Sequence, residues 1–481
     1  MFGQKRKSLL VIVLAASLAG LPAPRAEAQQ AEAALPEVRT FTVPDAVDYA
    51  LQHYPAVRAA MERYNAARAG VGLARTSYLP RLDSVWQGDR GSRESVLGVL
   101  LPQSPNILTG TQGSVTPHAG RPFWTSGAGV LLSWDPFDFG YRRARVHSAE
   151  TTEARVQAQV TLTRLGIASA VAEASLGLLA SEQRVRAMEA DVHRREVFAR
   201  AVHALVDAHL RPGADASRAD AEVAMAKTRL ILSQEDSELG SIALGQLMGL
   251  GGKRVEIAAA DTLLISSPDN LPRQSSVAEH PAARVQEQRV EEEKARIRVL
   301  NHEYYPRFTT EGLLSARGSG EKADGSTERG LNGLGFTAYN WEAGLTVQMD
   351  LTSIFAIRAR KRVEVANRRQ EEANYTQTLQ VLTAQQKAAA AKLDGARRIA
   401  QNTPVELASS RQGELRATAR FRAGLGTTVD VAEAQSLLAQ AEMDDSVARL
   451  SIWRALVAVA EANGDLTPFL DAAKHASSGG K

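Results

Sequence analysis

The 481-residue chain carries 57 Lys and Arg against 54 Asp and Glu and has no cysteine, which excludes a disulfide framework and a lipidated cysteine. Residues 1–28 contain Lys5, Arg6, Lys7 and Arg25 against Glu27, so they account for the whole net charge of +3 and leave the remainder formally neutral. No nucleic-acid partner is expected, because the later basic clusters, such as Arg358 to Arg362, sit among acids on the same segments.

The first residues read as an export signal. A basic stretch at Lys5-Arg6-Lys7 precedes an apolar run from Ser8 to Leu21, and Ala26-Glu27-Ala28 offers a cleavage site. Beyond residue 28 no stretch reads as long and apolar enough to cross a bilayer as a helix, so any membrane passage is expected through strands.

In chain order, Pro55 opens a helix that Pro80 stops. A strand around Leu82–Arg90 follows, then a Gly/Ser/Pro-rich loop over roughly 91–124. From Ser126 to Trp134 every second residue is Ser, Ala, Val, Leu or Trp, with Gly127, Gly129 and Ser133 among the residues between them. That period of two marks a strand with one apolar face, close to the roughly 9–11 residues that a tilted membrane strand needs. From about Arg142 to Leu210 there is no proline, and good helix formers dominate. Such a helix of some 70 residues would be on the order of 100 Å long, a length that implies coiled-coil packing. Val160, Ile167, Val171, Leu178 and Val185 supply a loose apolar stripe. A turn at Gly213 breaks the helical run, and residues 251–274 are expected to link this unit to a second one.

The second unit repeats the first. Pro281 lies 226 positions after Pro55, and Pro306 lies 226 after Pro80, with Tyr78-Leu79-Pro80-Arg81 recurring as Tyr304-Tyr305-Pro306-Arg307. The strand at Trp341–Met349 alternates Trp, Ala, Leu, Val and Met with Glu342, Gly344, Thr346 and Gln348. Arg142 to Val146 pairs with Arg358 to Val363, and the Gly213 turn with the Gly424 turn. A helix from about Ile357 to Arg422 contains Pro404. A period this long indicates duplication rather than a solenoid. The expected units are residues 29–250 and 275–465, with a disordered, dispensable tail at 466–481.

The paired proline-opened helices and the Tyr-x-Pro-Arg stops are joined by Trp134-Asp135-Pro136-Phe137-Asp138-Phe139-Gly140 and by Phe421-Arg422-Ala423-Gly424-Leu425-Gly426-Thr427-Thr428-Val429-Asp430-Val431-Ala432-Glu433. Over roughly 41–465 the chain resembles the TolC-like outer membrane efflux proteins. The resemblance implies an α+β membrane protein in which four β-strands per chain contribute to a trimeric twelve-stranded outer-membrane barrel. A long helical coiled-coil periplasmic tunnel would continue it. It further implies a passive duct for efflux or type I secretion, with a periplasmic adaptor protein, an inner-membrane transporter of RND or ABC type and outer-membrane lipid as partners. The alternative reading is a soluble periplasmic coiled-coil adaptor or scaffold protein without a pore.

By the same resemblance, Asp430 and Glu433 would line acidic rings at the pore entrance. Their i, i+3 spacing puts them on one helix face, and a helix N-terminus favours acids whatever the function. Gly424, Gly426, Thr427, Arg218 and Asp220 are candidate tip contacts, and Trp134 and Trp341 candidate membrane-interface aromatics. The family often has arginine where Gly426 stands, which puts an entrance-closing charge link in doubt. No enzyme or cofactor is expected. Gly249-Leu250-Gly251-Gly252-Lys253-Arg254 lacks P-loop spacing, and His203 and His209 lack ligand spacing.

Overall fold

A computed structural model describes residues 38–91, 123–258, 275–320 and 330–478. The expected export signal and most of the expected loops lie outside these residues. Two strands and their helices recur in one order. The first set is α2 (Pro55–Thr76), β2 (Arg81–Gly91), β3 (Phe123–Phe137), α3 (Tyr141–Asp207) and α4 (Gly213–Leu247). The second is α5 (Pro281–His302), β5 (Arg307–Ser319), β6 (Ala338–Gln348), α6 (Ser353–Arg422) and α7 (Thr428–Asn463). Both α2 and α5 start on their proline, where the missing N–H needs no partner. Helix α6 runs through Pro404, so the expected interruption does not end it.

The strands form one antiparallel sheet in the order β2-β3-β5-β6. Arg81 pairs with Ser133 in the first hairpin, and their counterparts Arg307 and Gln348 pair in the second. Leu82, Trp86, Val130, Leu132, Trp134, Leu314, Trp341, Leu345 and Val347 are all exposed. Cross-strand register places them on one face, with Leu82 opposite Leu132, Val130 opposite Leu314 and Leu314 opposite Trp341. A sheet of this kind bears its apolar residues outward, as membrane strands do.

The main core lies midway along the helices. Helix α1 (Val43–His53) supplies Val43, Ala46, Val47 and Ala50 to a buried cluster that also holds Val171, Leu176 and Leu179 of α3 and Trp453 and Leu456 of α7. Short strands β1 (Val38–Phe41) and β4 (Arg254–Ile257) pair in parallel beside it. The expected linker therefore begins with a strand, whose Val255 and Ile257 enter this core. Helix α3 contains an 18-residue window of mean hydropathy 1.3, which by length and composition alone could cross a membrane. The expectation that no such stretch exists was too strict. Its apolar residues are the ones the core buries.

The tail also departs from expectation. Residues Thr467–Ser478 form helix α8, and Leu466, Phe469 and Ala473 are buried in the main core. Phe469 meets Trp453 edge-on, with centroids 6.1 Å apart. Polarity at 474–481 hid the apolar spacing of 466, 469 and 473, which is that of a helix face.

Candidate channel entrance at the helical tips

Helices α3 and α4 meet in one turn and α6 and α7 in another, at the end of the molecule away from the sheet. The two turns close identically. Gly424 donates its N–H to Phe421 (3.0 Å) and Leu425 to Arg420 (2.9 Å); His209 donates to Val206 (2.9 Å) and Leu210 to Leu205 (2.8 Å). Both are Schellman ends, which need a left-handed residue after the cap. Gly424 supplies it with φ 77°, and His209 adopts φ 65° despite its Cβ.

This match corrects the alignment drawn from sequence. His209, not Gly213, answers to Gly424, and the shared offset of 215 carries Asp215 onto Asp430, Arg218 onto Glu433 and Arg211 onto Gly426. Glycine drew the sequence comparison to the wrong residue, since a histidine occupies the left-handed position. Asp220 is not the counterpart of Asp430; it lies on α4 and meets His203 Nε2 at 2.9 Å. The hydrogen bond that Asp220 accepts from the His203 ring, then its charge, raises the His203 pKa above its ordinary value. Arg218 is exposed and makes no ion pair among the described residues.

Asp430 is first of all a helix cap. Its N–H donates to the Thr427 hydroxyl at 3.2 Å, and its carboxylate accepts the Thr427 N–H at 2.9 Å, a reciprocal capping box. The Thr427 backbone bond, helped by its hydroxyl and by Arg420, lowers the Asp430 pKa below the usual carboxylate range. Glu433 lies one turn on, exposed like Asp430. Gly426 sits close against the end of α6, where an added Cβ would come within 3.2 Å of the Phe421 nitrogen.

The two tips are tied by a residue the sequence reading did not single out. Arg211 donates to the Gly426 carbonyl at 3.1 Å and lies over the Phe421 ring at 4.9 Å. Its guanidinium is 4.0 Å from Asp215, which accepts the Thr428 hydroxyl at 3.2 Å. Arg211 thus stands on the first tip at the place equivalent to Gly426 on the second. Only the corrected offset could have revealed it. Beneath lie Val202, Ala219, Phe421 and Val431, with Phe198 packed edge-on to Phe421.

One further polar group was not foreseen. Arg195 is 2% exposed and donates to Asp191 (2.9 Å), Glu222 (2.6 Å) and Ser436 (2.8 Å), which joins α3, α4 and α7. Arg194 grips Glu442 with two bonds of 2.9 and 3.2 Å. Such buried charges persist only when each is paired. The i, i+4 spacing of Asp191 and Arg195 was the available signal, although surface pairs share it.

The exposed apolar sheet, the long helices and the paired tips define an envelope channel subunit. The family model for the outer membrane efflux protein matches residues 46–250 and 273–465. The chain belongs to the outer membrane efflux protein family, whose members are channel proteins, and it acts as an efflux channel component in the outer membrane that extends into the periplasm.

Solved structures agree in fold. The chain is 19% identical to VceC from Vibrio cholerae, with TM-score 0.69 over 88% of this chain and 96% of that one. It is 16% identical to the CmeC outer membrane channel of Campylobacter jejuni, with TM-score 0.70 over 91% and 89%. It is 17% identical to the open state of the MtrE outer membrane channel of Neisseria gonorrhoeae, with TM-score 0.67 over 88% and 89%. A comparison with curated proteins finds no match.

Proposed function

We propose that three copies of the chain assemble into a passive duct. Their strands would close one twelve-stranded barrel, and their helices would continue it as a periplasmic tunnel. A periplasmic adaptor and an inner-membrane transporter of RND or ABC type would feed this tunnel from below. The sheet carries the reading: four strands, one apolar exposed face, and edges at β2 and β6 with no partner strand among the described residues. Lipid does not tolerate open edges, four strands do not close alone, and three copies supply twelve. A soluble scaffold would leave the same apolar face in water at large cost.

At the tips, three copies bring Asp430 and Glu433 together as six carboxylates around the entrance. The depressed pKa of Asp430 keeps its share of that charge through neutral pH. Such a ring favours cations and repels anions. Trp134 and Trp341, exposed on the apolar face, fit the membrane interfaces, with Trp86 and Tyr339 as further exposed aromatics on that sheet.

Envelope fractionation tests the assembly: heat-modifiable trimers in the outer membrane are expected, and a soluble monomer would remove the proposal. In planar bilayers, Asp430→Ala with Glu433→Ala should raise single-channel conductance and abolish block by divalent cations. Unchanged conductance and block would reject the acidic entrance.

A further inference from the structure

The two free edges of the sheet should pair between subunits in a register that the fold itself specifies. Two offsets relate the repeats. Residues of β2 map onto β5 with a shift of 226, and residues of β3 map onto β6 with a shift of 215, because Arg81 opposite Ser133 becomes Arg307 opposite Gln348. The junction between repeats, β3 with β5, is formed within the chain: Leu132 faces Gly312, Val130 faces Leu314 and Trp134 faces Thr310. The other junction, β6 with β2, is not formed among the described residues of one chain.

We infer that β6 of one subunit pairs antiparallel with β2 of the next in the register obtained by carrying the β3–β5 junction through the same two shifts. This rests on the trimer proposed above. It places Val347 opposite Trp86 of the partner subunit, Leu345 opposite Gly88 of the partner subunit, and Met349 opposite Ser84 of the partner subunit.

One observation that did not enter the construction agrees with it. Val347 and Trp86 are both exposed, at 55% and 70%, and lie on the apolar face of their own strands. A slip of one residue would set Trp86 against Thr346 or Gln348 and turn one strand inside out, which a one-sided apolar sheet forbids.

The chain has no cysteine, so paired cysteines report this register directly. Val347→Cys is combined in one chain with Ser84→Cys, Trp86→Cys or Gly88→Cys, and outer membranes are oxidised with copper-phenanthroline. Directly opposed positions lie about 4.5–5.5 Å apart and diagonal ones about 7–8 Å, so the Trp86 combination should give several-fold more covalently linked subunits than either neighbour. A maximum at Ser84 or Gly88, or no inter-subunit disulfide in any combination while trimers persist, overturns the register and leaves the duct standing. Absence of trimers in the unsubstituted protein would overturn both.

Discussion

Arg211 on the first helical tip donates a hydrogen bond of 3.1 Å to the Gly426 carbonyl on the second, across 215 residues of sequence. The same side chain covers Phe421, so it closes the tip by both a polar and a ring contact. Replacing Arg211 with Ala should free the second turn from the first. A charged hydrogen bond contributes about 1.5–3 kcal/mol when buried, and the partial exposure here puts the loss near the lower end. Amide exchange over 420–430 should speed up, and reconstituted channels should conduct more. Unchanged exchange would remove Arg211 as the tie.

The two left-handed residues make opposite predictions. His209 adopts φ 65° at a cost of about 1 kcal/mol, so His209→Gly should raise the melting temperature. Gly424→Ala should lower stability by a similar amount, because φ 77° is strained for any Cβ. Both changes are read by thermal unfolding of the detergent-solubilised protein.

The His203–Asp220 pair predicts a pH dependence at the first tip. The His203 pKa is raised in the fold, so the contact is fully present below the ordinary histidine value and is lost as pH rises through the raised one. Protection factors around 200–222, corrected for the base-catalysed intrinsic rate, should therefore be higher at pH 6 than at pH 9. In Asp220→Asn that difference should shrink, because the charge that holds the proton is gone.

The buried arginine predicts a larger effect. Arg195→Ala leaves Asp191, which is 0% exposed, with only its longer 3.8 Å ion pair to Arg194, and should cost about 3 kcal/mol. Replacing the pair together, with Arg195→Met and Asp191→Leu, should recover most of that loss. A melting temperature equally low in the double variant would show that packing, and not the carboxylate left behind, sets the cost.

Removal of residues 467–481 should destabilise the protein, contrary to what the polar tail suggests. It deletes Phe469 from against Trp453 and uncovers the main core. Loss of a buried phenylalanine alone costs about 3–5 kcal/mol, so Phe469→Ala should reproduce much of the truncation's effect. A truncated chain with native melting behaviour would contradict this.

How much was legible can be traced residue by residue. Pro55 and Pro281 marked helix starts because proline lacks an N–H, and the alternation at Ser126–Trp134 and Trp341–Met349 marked strands because side chains alternate across a sheet. Repetition of these local signals was enough to show the duplication and the family. The match of Asp215 to Asp430, the Arg211 tie and the Arg195 network were not legible, because each joins residues far apart in sequence. His209 in a left-handed turn disguised the first tip, and the docking of Phe469 on Trp453 depended on a core assembled from five helices and a strand. Local backbone chemistry and periodicity belong to the sequence alone. Which charges meet, and which apolar residues find cover, was decided only when the helices were laid side by side.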